Sequence, residues 1–328
     1  LERMKPGDVF VLGGNKYQFL YNRGMKAYVN SSVYRPPTIP SWFSEQLPLS
    51  FDLALEISRF RGLVEEQIKS KKSAQEIKGF IQEFSHVNEN AAEKIYQYIL
   101  LQSRYLGVPS NRKLLVENYK AEKDYWIFHS LFGRRVNDVL SRVLAYLLAQ
   151  QHSRDVEIGV NDNGFYLCGE KIDKEKIEKV FKFLNPEKLE EVLKEAIERT
   201  ELFKRRFRHC AARSLMILRN YKGRVKSAGK QQIKSHFLLA AIQKLSKEFP
   251  ILQETRREIM EDMMDLEHAK LIIEWIKDNK LKVEFKETSI PSPFSLNLIM
   301  QGHYDLIKME DKIEFLKRIY KEIRSKVK

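Results

Sequence analysis

The apolar positions along the chain switch repeatedly between period two and period 3.6, and each switch predicts a change of element. Between residues 4 and 34, short β-rich runs (Val9–Leu12, Tyr17–Tyr21, Ala27–Val29) alternate with Gly13-Gly14 and Asn22-Arg23-Gly24, which predicts hairpins. Pro36, Pro37 and Pro40 then end regular pairing and stiffen a connector. Helical spacing takes over beyond it. Asp52 is placed to cap a helix opening near Leu53, whose apolar side carries Leu53, Leu55, Ile57, Phe60 and Leu63. Ser73 with Glu76 has the capping-box spacing, and Ile77, Phe80, Ile81 and Phe84 form one stripe, so a helix is expected over 73–84. A further helix over 90–104 would complete a unit compatible with a helix-turn-helix.

From Lys113 the texture changes. Leu114–Glu117 and Tyr125–His129 read as strands joined by a turn over 118–124, and a helix over 135–150 buries Val136, Val139, Leu140, Val143, Leu144 and Leu147 on one face. Val156–Val160 and Phe165–Leu167 bracket Asn161-Asp162-Asn163-Gly164, a hairpin-turn composition. Helices are expected over 172–183, through a long sector from Glu187 to about Asn220, and over 231–247, 251–264, 266–279 and 311–326. A strand at Lys282–Phe285 and a turn at Ser292-Pro293-Phe294 complete the pattern. The expected class is α+β. It has strand-rich N-terminal hairpins, a helical segment, a central sheet of antiparallel content with helices, and a largely helical C-terminal region. The modules fall at 1–48 (β-rich with the proline connector), 49–110 (helical), 111–185 (α+β) and 186–328 (helical and basic).

Charge sharpens the picture. Of a formal net charge of +14 over 328 residues, about ten units sit between Glu201 and Lys234, where eleven cations meet the single carboxylate Glu201. A positive field this concentrated attracts polyanions. Lys204, Arg205, Arg206 and Arg208 crowd one helical turn, where some would reach phosphate and others would pair with Glu191, Glu195 and Glu198. Arg224, Lys226 and Lys230 are expected on a loop around Gly223 and Ser227-Ala228-Gly229, suited to holding a backbone without reading sequence. Trp42 follows Pro40-Ser41 outside any stripe. It fits equally a base-stacking indole and a clamp on the connector.

Other chemistry is poorly supported. No Gly-x-x-x-x-Gly-Lys-Ser/Thr loop occurs, which argues against ATP hydrolysis by this segment alone. The two cysteines, Cys168 and Cys210, offer no disulfide framework and fit a cytoplasmic setting, and no apolar run is long enough to span a bilayer, so no membrane partner is expected. No catalytic or metal-ligating residue is assigned. His129 reads as a structural hydrogen-bonding residue, and Glu254, Glu258 and Glu261 read as an ion-paired helix face sooner than as ligands of a nuclease metal.

Several separated motifs carry a family resemblance. They are Met4-Lys-Pro-Gly-Asp-Val-Phe-Val-Leu-Gly-Gly14, Pro40-Ser-Trp42, Ile127-Phe-His-Ser-Leu-Phe-Gly-Arg-Arg-Val-Asn137, Phe203-Lys-Arg-Arg-Phe-Arg-His-Cys-Ala-Ala-Arg213 and Ile290-Pro-Ser-Pro-Phe294. Together the chain resembles the carboxy-terminal portion of Lhr-type superfamily 2 helicases, beyond the RecA-like motor and the winged helix. The lysine-, glutamate- and isoleucine-rich composition points to an archaeal source. The resemblance implies an accessory region that guides single-stranded DNA or RNA while the attached motor moves 3′ to 5′ and opens DNA or RNA–DNA duplexes. ATP and Mg2+ would belong to the full-length helicase, with no cofactor in this segment. It also implies that Trp42 stacks on a base, that Arg35 shapes that contact, that Arg134 and Arg135 line the inner face, and that Arg205, Arg206 and Arg208 hold nucleic acid or their own helix cluster. The rival readings are a protein-docking module of the helicase and, more remotely, a metal-dependent nuclease.

Overall fold

The computed structural model describes residues 6–12, 15–23, 26–31, 47–120, 123–152, 156–170, 172–218, 220–221, 223–226, 228–302 and 312–327. Trp42 and Arg35 lie outside them. The chain divides into two compact units, one formed by Leu1–Leu47 with Lys204–Leu252 and the other by Pro48–Phe203 with Gln253–Lys328. We call them the first and second units.

The first unit opens with an antiparallel sheet of β1 (Val9–Leu12), β2 (Asn15–Arg23) and β3 (Lys26–Ser31) in that order. Among its described side chains Val9 and Phe19 are buried, Val9 on the face of its partner Gln18 and Phe19 on the other. A bulge interrupts the β2–β3 ladder between Phe19, which pairs with Val29, and Tyr21, which pairs with Tyr28. Paired residues share a face and strand neighbours alternate. The bulge therefore turns Tyr21 onto the face opposite Phe19.

In the second unit α1 (Phe51–Lys69) is capped by Ser50, whose Oγ accepts from the Leu53 amide at 3.4 Å; Asp52 instead adds a favourable first-turn charge. Its buried face is correspondingly shifted to Phe51, Ala54, Ser58 and Val64, and Leu53 is 53% exposed. The capping box of α2 (Ala74–Ser85) is formed as expected, with Ser73 and Glu76 bonded reciprocally. Asn88 caps α3 (Glu89–Tyr105). Val64, Ile77, Ile81, Ala92 and Ile99 form the core of these helices, and Phe294 inserts into it from far along the chain.

The central sheet has five strands. β4 (Lys113–Lys120) runs beyond the expected Glu117 into the supposed turn, followed by β5 (Asp124–His129). After α4 (Arg134–His152) come β6 (Glu157–Asn161) and β7 (Gly164–Cys168). The remaining elements are α5 (Lys174–Phe183), α6 (Pro186–Glu198), α7 (Glu201–Arg213), β8 (Asn220–Tyr221), β9 (Arg224–Val225), α8 (Ala228–Leu245), α9 (Pro250–Arg257), a π-helical segment (Glu258–Met263), α10 (Leu266–Lys277), β10 (Lys282–Thr288), α11 (Leu296–Gly302) and α12 (Lys312–Val327). The strand order is β10-β4-β5-β7-β6, antiparallel throughout except that β10 runs parallel to β4. Phe128 stacks on Phe165 at 4.5 Å and approaches Phe181 of α5, whereas Tyr125, Ile127, Tyr166 and Cys168 pack with Leu298 and Ile299 of α11. Covered on both faces, β5 and β7 lose the polar alternation of a half-exposed strand.

The long helical sector expected from Glu187 is two helices. Thr200 breaks it, its hydroxyl donating to the Ile197 carbonyl at 2.6 Å and accepting from the Phe203 amide at 3.3 Å. The sector also ends early. Leu215 adopts φ +62° and the Ile217 amide returns to the Ala211 carbonyl, closing α7 before the short hairpin β8–β9.

Candidate nucleic-acid interface

The two units differ sharply in charge. The first holds 19 Lys and Arg against 4 Asp and Glu, a net +15, and the second is left with −1. The entire positive excess of the chain belongs to one unit.

Local structure explains how its cations are presented. Phe203, Phe207, Cys210 and Ala211 recur at helical spacing on α7 and are all buried. The positions between them must face outward: Arg205 is exposed, and Lys204, Arg206 and Arg208 are half-buried. Glu198 is bonded to Arg256 (Nε to Oε1, 3.0 Å) and Glu195 accepts from the Tyr146 hydroxyl. The segment carrying Arg224, Lys226 and Lys230 is more regular than expected. Arg224 pairs with Tyr221 in the two-rung hairpin whose turn uses Gly223 at φ +71°, and α8 begins at Ala228, placing Lys230 on a helix. The Gln231 side chain donates to the Lys226 carbonyl at 2.8 Å and ties the hairpin exit to α8.

This arrangement brings Lys226 beside Lys234. Loss of solvent and then the neighbouring Lys234 ammonium push Lys226 below the usual lysine range. Both line a cavity of about 370 Å³ with Met216, Ile217, Leu218 and Leu238. Like charges held at one cavity favour an anion between them, and the first turn of α8, with no acidic residue, adds its helix-terminal field. Sequence reasoning left Lys234 out of the interface. Its spacing of four from Lys230 on α8 was the available signal. Ile233 and Phe237, 59% and 75% exposed, lie on the same side of α8.

Arg134 and Arg135 belong to the second unit. Arg134 is exposed and its amide donates to Asp162 Oδ1 at 2.8 Å, the bond that caps α4. The Arg135 guanidinium donates to the carbonyls of Glu261 (2.6 Å) and Met264 (2.8 Å), closing the π-helical segment. These bonds tie α4 to that segment. On the acidic run, Arg257 sits among Glu254, Glu261 and Asp262, with Nη2–Oε1 of Glu254 at 2.8 Å. Among the described residues no three His, Cys, Asp or Glu side chains are gathered as metal ligands.

His129 donates from Nε2 to Glu117 Oε2 at 2.8 Å, deep in the sheet. Glu117 also accepts from Ser292 Oγ (2.6 Å), the Ser292 amide (2.8 Å) and Thr288 Oγ1 (3.0 Å). Tyr98 and Tyr105 donate to the Pro293 and Ile290 carbonyls, and Gln102 accepts from the Phe294 amide. The Ile290–Phe294 segment is thus a strap joining the helices α1–α3 to the sheet.

Comparison with known proteins agrees with this fold. Residues 108–295 match the family described as DEAD/H associated. The chain is 50% identical over 330 residues to the ATP-dependent helicase Lhr-Core of Methanothermobacter thermautotrophicus, covering 100% of this chain and 38% of that protein. It is 41% identical to the Lhr-Core helicase of Saccharolobus solfataricus, covering 98% of this chain and 38% of the relative. The solved structure of Mycobacterium smegmatis helicase Lhr bound to ssDNA and AMP-PNP superposes with a TM-score of 0.67 at 22% identity, over 81% of this chain and 33% of that one. The chain belongs to the DEAD/H associated family. Within it, the chain corresponds to the accessory region of an Lhr-type helicase, and it spans less than two-fifths of the length of these curated relatives. Among the described residues no helix is long and apolar enough to cross a membrane.

Proposed function

We propose that this chain is the nucleic-acid-binding accessory region of an ATP-dependent Lhr-type helicase, and that its first unit holds the backbone of the tracking single strand. The observation that carries this reading is the confinement of the whole positive excess, +15, to that unit. Lys226, Lys230 and Lys234, with Arg205, Arg206 and Arg208 on α7, supply phosphate contacts. Trp42 supplies a base stack, as the family resemblance implies. Motion 3′ to 5′, opening of DNA or RNA–DNA duplexes, and use of ATP and Mg2+ fall to the motor of the whole helicase.

The test is fluorescence anisotropy of labelled single-stranded DNA and RNA across a salt series. Wild type should bind with log affinity falling linearly against log salt, and replacing Lys226, Lys230 and Lys234 by glutamine should flatten the slope by about 0.7 for each lost phosphate contact. Absence of salt-dependent binding at low salt would overturn the reading. The exposed Ile233 and Phe237 favour a second role for α8, docking another domain of the helicase. Phe237→Ser would then reduce unwinding by the whole protein and leave strand binding intact.

A further inference from the structure

On the face of the small sheet opposite Phe19, beyond the bulge, Tyr21 and Tyr28 stack on each other with ring centroids 4.7 Å apart and planes 17° from parallel. They are 52% and 40% exposed. Two residues further along the same strands, Arg23 pairs directly with Lys26, and both are exposed. By strand alternation all four share one face, and the bulge after Phe19 is what brings Tyr21 there. Without that bulge Tyr21 would share the face of Phe19.

Stability alone accounts poorly for this group. A cross-strand aromatic pair supports a hairpin, but like charges directly opposite weaken one. The charged rung lies about 6.6 Å from the aromatic rung, two strand residues along. A π-surface flanked at that distance by two cations matches an unpaired nucleotide, with its base on the ring and its phosphate against the cations. A protein partner of acidic character would use the cations but would not require the stacked pair. A duplex offers phosphates but keeps its bases enclosed.

We infer that Tyr21 and Tyr28, with Arg23 and Lys26, form a base-stacking platform for single-stranded nucleic acid, separate from the α7–hairpin–α8 surface. This rests on the proposed nucleic-acid function and gives it a second contact that selects single strands. The platform reads no sequence, because every base has a π-face.

The experiment compares the full chain with Tyr21→Val/Tyr28→Val and Tyr21→Phe/Tyr28→Phe variants on a labelled oligothymidylate and on a duplex of equal length. Valine keeps the β preference and removes the ring; phenylalanine keeps the ring and removes the hydroxyl. The valine pair should bind the single strand about tenfold more weakly, the order expected for one lost base stack, with duplex binding and the salt slope unchanged. The phenylalanine pair should stay within about twofold of wild type. Circular dichroism and melting temperature separate loss of the sheet from loss of the platform. Should the valine pair lose its fold, Arg23→Gln/Lys26→Gln supplies the test through a flattened salt slope. Equal single-strand affinity in folded valine and wild-type proteins would overturn the platform while leaving the basic surface standing. No salt-dependent binding by wild type would overturn both.

Discussion

Replacing Glu117 by alanine should destabilise the second unit by about 3–5 kcal/mol, the range for stripping one partner from a buried, charge-assisted cluster. The carboxylate is fully buried and accepts four hydrogen bonds, two on each oxygen. The hydroxyls of Ser292 and Thr288 can rotate toward other acceptors, and Ser292 Oγ already lies 3.4 Å from Ser295 Oγ. The Ser292 amide and the ring of His129 cannot turn away. Each donor left unmet in the interior costs about 1–3 kcal/mol, and the vacated volume adds a cavity term. Glutamine should cost less, about 1–2 kcal/mol. Its oxygen can replace Oε1 toward the Ser292 amide and Thr288, and its NH2 can donate to Ser292 Oγ and to the other tautomer of His129. What glutamine loses is charge assistance.

The two variants also separate the pH dependence. Burial pushes Glu117 up, but the bonds from His129 and Ser292 together outweigh it and hold the carboxyl below its usual range. A folded-state value below the unfolded one means the unfolded chain takes up the proton first. The contribution is therefore complete above the ordinary carboxylate range and fades as pH falls through the depressed folded value. Urea unfolding followed by tryptophan fluorescence is the assay, since Trp126 is buried on β5, where it pairs with Asn118 of β4. The gap between wild type and Glu117→Gln should be constant near neutrality and shrink in acid. An alanine variant within 1 kcal/mol of wild type, or a gap that widens in acid, would refute the reasoning.

Arg135→Met should lower stability by about 1–3 kcal/mol by removing the donors that close the π-helical segment, while single-strand affinity stays within about twofold. A normal melting temperature with weakened binding would instead return Arg135 to the interface. Gly133 adopts φ +83°, and a Cβ there would stand 2.5 Å from the Leu49 carbonyl oxygen, so Gly133→Ala should cost about 2 kcal/mol or more in a denaturant titration. Thr200→Ala removes the hydroxyl that separates α6 from α7 and should cost about 1 kcal/mol. An unchanged midpoint would show that the break is set by packing.

Where signals are local, the chain announces its structure. The α2 helix carries cap, box and stripe within twelve residues; cap and box form, and the stripe buries Ile77 and Ile81 while its last member, Phe84, stays exposed. The cap of α1 was harder, because a serine just before the helix and an aspartate in its first turn are both favoured at a helix start; hydrogen bonding selects Ser50. The partner of β10 is a matter of topology: Lys282–Thr288 has strand composition, but nothing within it specifies a parallel neighbour at Lys113–Tyr119. The helix α11, missed entirely, is only seven residues long and follows two prolines. At the site, the cationic run was plain as composition. The meeting of Lys226 with Lys234 depends on where α8 begins, and that is set by fold.

The partition of charge gives these details a common meaning. A unit at +15 folds against its own repulsion, and its fold adds local repulsion by setting Arg23 opposite Lys26 and Lys226 beside Lys234. A unit with no polyanion to meet would gain from a carboxylate at either place, as the second unit does with Arg257 among Glu254, Glu261 and Asp262. The first unit has only four carboxylates in all. On the proposed reading a phosphate backbone would offset the unit's positive excess at several points at once, releasing counterions as it binds. The same unit exposes the stacked rings of Tyr21 and Tyr28 on its sheet, so under the proposed function it would offer surfaces for both the charged and the flat parts of an unpaired strand.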